Sequence, residues 1–95
     1  MDEIEWLSKW YASNCDGDWE HSYGVLIQTL DNPGWSIIID LIDTPLQGRE
    51  LPELLVDKSE EDWLRVSSDG KRFKGYGDGS KLRCLIENFK VFAHS

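Results

Sequence analysis

Apolar and polar residues alternate along this chain with two different periods, and each change of period marks a new element. Over residues 2–13, Trp6, Leu7, Trp10 and Tyr11 recur at helical spacing, with Ile4 three positions before Leu7. That spacing predicts a helix with one apolar face. Asp2 stands where an N-cap belongs and Glu5 follows three residues later, as in a capping box; the acidic first turn also suits the helix dipole. Asn14-Cys15-Asp16-Gly17 tolerates left-handed backbone and ends the helix. Residues 23–30 and 35–42 then switch to a period of two. In the second run Trp35, Ile37, Ile39 and Leu41 share one face, and Ser36, Ile38 and Asp40 the other. Between the runs, Pro33-Gly34 fits the centre of a type II turn over Asn32–Trp35, with glycine supplying a positive φ.

Pro45, Gly48 and Pro52 interrupt any long central strand, so residues 45–52 are expected to connect and residues 53–57 to add a short edge strand. Residues 62–67 and 72–76 form a second predicted hairpin around Asp69-Gly70. Gly75 and Gly77 mark a bulge or a close backbone approach in its last strand. From Ser80, a candidate cap, to Ala93, the residues Leu82, Leu85, Ile86, Phe89, Phe92 and Ala93 keep helical spacing. The expected fold is α+β. One domain spans residues 1–95, with an antiparallel sheet of about four to five strands and an N-terminal and a C-terminal helix packed on one face.

Composition adds little to this until charge is considered. A chain of 95 residues with 40% hydrophobic residues and five tryptophans can build one core without staples. Its two cysteines, Cys15 and Cys84, are isolated and lack zinc spacing. The acidic start, Asp2-Glu3-Ile4-Glu5, is the opposite of a secretory leader, and no apolar run reaches the ~20 residues that span a bilayer, so a cytoplasmic protein without membrane contact is expected. The net charge of −8 is unevenly placed. Residues 1–43 hold nine acids against Lys9 alone, whereas residues 44–95 hold nine acids and nine bases. Such a surface argues against nucleic acid as partner and for a positively charged protein; the plainer alternative is that the acids maintain solubility.

The densest polar cluster is Asp16-Gly17-Asp18-Trp19-Glu20-His21. It begins like a calcium loop, but His21 occupies the glycine position and Ile27 the place of the last glutamate, which excludes an EF-hand. A metal-assisted hydrolase using Asp16, Asp18, Glu20 and His21 is the enzymatic alternative; without more ligands the cluster is an acidic loop or a binding loop. Cys15 follows a helix C-terminus among acids, where a thiolate is disfavoured, and Cys84 has no neighbouring histidine. No GxSxG or phosphate-binding glycine motif is present; Gly75-x-Gly77-x-Gly79 has the wrong spacing. Trp6, Trp10, Trp35 and Trp63 fit a core. Trp19, with charge on both sides, fits either a residue buried under its loop or an exposed aromatic anchor. Lys71, Arg72, Lys74, Lys81, Arg83 and Lys90 form a counter-patch, either a solvated face with an Arg83–Glu87 pair or a contact for a second copy in a homodimer.

Asp18-Trp19-Glu20-His21 and Asp31-Asn32-Pro33-Gly34-Trp35 together resemble the immunity protein 53 family, whose marks are a Trp-Glu pair and a Pro-Gly-Trp motif. Here these fall on Trp19-Glu20 and Pro33-Gly34-Trp35, and the similarity runs over nearly the whole chain. The resemblance implies an α+β antidote that binds a cognate toxin domain without catalysis or cofactor. The negative charge adds the expectation of a toxin with a basic site, such as a nuclease, contacted through Asp16, Asp18, Trp19, Glu20, Asp40 and Asp43. A sulfurtransferase activity seen as an option for relatives needs a reactive cysteine at an anion-binding loop; the acids after Cys15 would repel the anion and Cys84 lies within a helix.

Overall fold

In the computed structural model, which describes residues 2–95, five antiparallel strands form one sheet, with two long helices packed together on one face of it. The chain runs α1 (Glu3–Asn14), α2 (Trp19–Ser22), β1 (Val25–Leu30), β2 (Gly34–Asp40), β3 (Glu50–Ser59), β4 (Asp62–Asp69), β5 (Arg72–Gly77) and α3 (Leu82–His94). The sheet order is β1-β2-β5-β4-β3, so the last strand inserts between β2 and β4. The α+β class and the position of both helices agree with the sequence pattern.

The alternation in β2 determines which face is covered. Ile37 and Ile39, together with Leu41 beyond the strand, turn toward the helices and are fully buried with Phe73, Leu85, Ile86 and Phe89. Helix α3 lies directly on β2, β5 and β4, and α1 packs beside α3. Only Leu7 of α1 is fully buried, while Trp6 and Trp10 lean on the core from its rim. Ile4 and Tyr11, placed on the apolar face by their spacing, are exposed, because α1 touches α3 along a narrow seam.

Glycine makes the close packing possible. A Cβ on Gly75 would stand 2.8 Å from Ile37 Cγ2 and 3.1 Å from Leu85 Cδ2, so α3 can sit on β5 only because no side chain is there. Close approach, one of the two readings of the β5 glycines, is therefore the correct one. Gly34 has a different role from the expected one. Leu30 pairs with Gly34, which leaves a three-residue loop, and Gly34 is not among the positive-φ glycines. It begins β2, where a Cβ would strike the Gly77 carbonyl. The Pro-Gly pair thus serves interstrand contact, and the type II turn is not formed.

Three further boundaries differ from the pattern. Strand β1 starts at Val25 because residues 19–22 form a helical turn, closed by the Tyr23 N–H donating to the Trp19 carbonyl at 2.8 Å. Strand β3 begins at Glu50 and passes through Pro52; a register shift between Leu51 and Leu54 absorbs the proline on what is an edge strand. Ser80 does not cap α3. Lys81 holds the N-cap position without a side-chain cap, and Ser80 is instead tied back to Asp78, which accepts from the Ser80 N–H at 2.8 Å and the Ser80 hydroxyl at 2.6 Å. Asp2 does cap α1, accepting from the Glu5 N–H at 2.8 Å, while the Glu5 carboxylate reaches toward Lys9. At the far end of α3, Arg49 donates to the carbonyls of Phe92 at 3.1 Å and Ser95 at 2.7 Å, satisfying the last turn.

Candidate partner-binding surface

The loop between α1 and α2 is organised by its own acids. Asp16 Oδ1 accepts from the backbone N–H groups of Asp18 and Trp19, both at 2.9 Å, and so starts the short helix α2. Glu20 reaches back to accept from the N–H groups of Asp16 at 3.0 Å and Gly17 at 2.9 Å. Gly17, at φ 98°, makes the reversal between them. The Trp19 and Asp18 N–H groups hold the Asp16 carboxyl below its usual range. Backbone N–H groups, its own first and then those of Asp16 and Gly17, do the same for Glu20. Both are firmly anionic at neutral pH.

Trp19 is buried, at 4% exposure, which decides between its two readings and removes it as an exposed anchor. Its ring packs near Trp10, Tyr11 and Tyr23. Its indole N–H donates to the Ile42 carbonyl at 2.9 Å and fastens the acidic loop to the turn after β2. Asp43, the next residue, is exposed and holds a left-handed backbone at φ 60°, with its N–H donating to the Gln47 side chain at 2.9 Å. One corner of the molecule therefore carries Asp16, Asp18, Glu20 and Asp43, two segments far apart in sequence joined by one indole hydrogen bond. Asp40 is half-buried and engaged within the chain, accepting from the Gly24 N–H at 3.0 Å and pairing with Arg72 at 3.1 Å. The other motif tryptophan, Trp35, donates its indole N–H to the Gly79 carbonyl at 3.0 Å, tying the start of β2 to the entry of α3. Both family motifs are thus fasteners of the fold.

The alternative metal centre is not assembled. Among the described residues no three His, Cys, Asp or Glu side chains group as a metal ion requires. The reason is visible in the loop: Asp16 and Glu20 turn their oxygens onto backbone N–H groups, and His21 is exposed beside them. Half of the cationic counter-patch is also engaged within the chain. Arg72 pairs with Asp40, Lys81 with Asp78 at 2.8 Å and Asp62 at 2.9 Å, and Arg83 with Glu3 of α1 at 3.8 Å instead of Glu87. Cys15 and Cys84 are unpaired and half-buried, and Cys15 points its thiol at the Tyr11 carbonyl.

Counting charge by halves of the chain missed a second acidic surface. Glu50, Glu53, Asp57, Glu60, Glu61 and Asp62 lie along β3 and its turn into β4; within that segment Lys58 is the one base, while Arg65 pairs with Glu53 at 3.9 Å and Lys81 with Asp62 at 2.9 Å. The acids flank Leu54, Leu55 and Val56, which are all exposed. The unbroken aliphatic run between acids is the sequence signal of this surface. No helix of the described residues is long and apolar enough to cross a membrane.

A family model described as immunity protein 53 matches residues 4–94. No curated protein matches the chain, and no solved structure does. With the match covering nearly every residue from α1 to the end of α3, the chain belongs to the immunity protein 53 family.

Proposed function

We propose that this protein neutralises a cognate toxin domain by binding it as a stoichiometric, non-catalytic cover, and that the toxin presents a basic surface such as a nuclease active site. The toxin-neutralising role follows from the family. The observation that supports the basic surface is the anionic corner made of Asp16, Asp18, Glu20 and Asp43. Its geometry is fixed in advance: Trp19 holds the loop down from beneath, and the loop's own N–H groups orient two of the carboxylates. A charged surface that needs no ordering on contact loses little entropy when it binds. Its field also steers an oppositely charged partner before contact.

Asp18 and Asp43 are the residues to test, because neither carboxylate holds the loop together. Asp18→Asn with Asp43→Asn removes two charges and keeps the shape, since asparagine accepts the left-handed backbone at position 43. Against the cognate toxin domain, sought in the reading frame beside this one, the double variant should associate about three- to tenfold more slowly at low salt. Its association rate should also depend less on ionic strength. Stopped-flow association at several salt concentrations measures both, and unchanged rates would remove this corner from the interface.

A further inference from the structure

We propose that the outer edge of β3 is a docking strand, on which the toxin lays an extended segment with a short apolar stretch flanked by lysine or arginine. This rests on the toxin-binding reading above and names the mode of contact. Strand β3 pairs only with β4 and closes one side of the sheet. Its far side therefore presents unpaired backbone N–H and C=O groups along a strand of ten residues. Edge strands are usually guarded at their centre by a charge, a proline or a bulge. Here the guards stand at the ends. Pro52 and one register shift precede Leu54, a second shift follows Asp57, and the stretch between keeps regular pairing with β4.

That regular stretch is apolar on both faces. Leu54 and Val56 lie opposite Val66 and Leu64, on the face that carries the helices, yet remain 49% and 39% exposed because no helix reaches them. Leu55 lies opposite Arg65 on the open face and is 56% exposed. A strand added here would extend the sheet by one, satisfy the edge, and cover apolar surface on both sides.

Charge selects the occupant. Glu50, Glu53, Asp57, Glu60 and Glu61 surround the apolar stretch; against these five acids stand Lys58 on the strand and Arg65 of β4, which pairs with Glu53 at 3.9 Å. A second copy of this chain, paired antiparallel about Leu55, would set Glu53 opposite Asp57 and repel itself. A basic-flanked segment is attracted by the same acids. The occupant is therefore the positively charged toxin and not a homodimer partner.

Hydrogen exchange of the wild-type protein, alone and in complex with its toxin domain, tests this without altering the fold. Amides of residues 50–59 on the outer edge should exchange freely in the free protein and become protected in the complex. Leu54→Thr with Leu55→Thr, which keeps strand propensity and charge, should dissociate at least about tenfold faster with association within about twofold of wild type. A tight complex with unprotected β3, or an unchanged dissociation rate in the double variant, overturns the docking strand and leaves toxin binding intact. Protected β3 in a free protein that sediments as a dimer overturns it in favour of self-association. Failure of the wild type to form any complex overturns the toxin-binding reading, and this inference with it.

Discussion

Phe89→Ala should lower the unfolding free energy by about 3–5 kcal/mol, the range for truncating a fully buried aromatic. Phe89 is at 0% exposure and is the ring on which the two helices and the sheet converge. Its centroid lies 4.9 Å from Trp10 and 5.7 Å from Trp6 of α1, 5.1 Å from Phe73 of β5 and 6.2 Å from Phe92 of its own helix. The contacts with Trp6, Trp10 and Phe73 are edge-to-face, so truncation loses ring–ring attraction as well as buried area. The cavity would open where three elements meet, and their collapse is limited because Gly75 already brings α3 against β5. Small domains have only about 5–15 kcal/mol in total, so the variant should be close to unfolding at physiological temperature. Urea denaturation measures this directly. Val91→Ala on the same helix, at 70% exposure, is the control and should change stability by less than about 0.5 kcal/mol.

Asp78→Ala is expected to have the second largest effect, a fall in melting temperature on the order of 10 °C. The Asp78 side chain, 5% exposed, lies where β4 begins, β5 ends and α3 starts. It accepts from the Trp63 N–H at 2.9 Å and from both donors of Ser80, and pairs with Lys81 at 2.8 Å. Alanine would leave the Trp63 and Ser80 donors without this acceptor and take one of the two carboxylates from the Lys81 ammonium, although Asp62 would still hold Lys81 from the other side at 2.9 Å. The Lys81 ammonium first, and the Ser80 donors after it, hold the Asp78 carboxyl far below the usual carboxylate range. A depressed folded-state value means that the stabilisation is complete above the unfolded-state value near 4 and is lost as pH falls below it toward the folded value. Lys81 is shifted the other way, upward, by Asp62 and then Asp78, so its contribution persists until alkaline pH. Melting temperature should therefore be level across the neutral range and drop below about pH 4. In Asp78→Asn that acid-side drop should be shallower, with a lower plateau at neutral pH.

Much of this fold was legible because the pattern and the packing obey the same period. The two-residue period of strand β2 assigns Ile37 and Ile39 to the core and Asp40 to the other face, although Ser36 on that other face is also buried. Helix α3 has an apolar stripe wide enough to lie on a sheet, and Phe89 and Leu85 fall at its centre. What escaped the pattern depends on neighbours distant in sequence. Gly34 looks like a turn residue beside Pro33, but its need for a missing side chain comes from Gly77, more than forty positions away. Ser80 looks like a helix cap, but its N–H and hydroxyl are held by the Asp78 carboxylate two residues earlier, and Lys81 takes the N-cap position. The short helix at Trp19 could not be seen in a window of four residues, because Asp16 and Glu20 fold it through backbone contacts that have no period.

The candidate surface was legible in charge and less so in role. Asp16, Asp18, Glu20 and Asp43 do share a corner, but two of these acids also build it, and Asp40 is committed to Arg72. Trp19 and Trp35, the residues that carry the family resemblance, make their polar contacts inward. Motifs of this kind report what a fold requires, whereas binding specificity resides in residues that the fold leaves free. Side chains left free here include Asp18, Asp43 and the exposed run Leu54–Leu55–Val56, the contacts proposed above.

The most direct test is titration of the cognate toxin domain with this protein while toxin activity is followed. Activity should fall in proportion to the protein added and reach its floor at one molar equivalent, as a stoichiometric cover requires. Toxin that stays fully active in excess protein, or a trace of protein that inactivates many equivalents of toxin over time, would contradict neutralisation by binding.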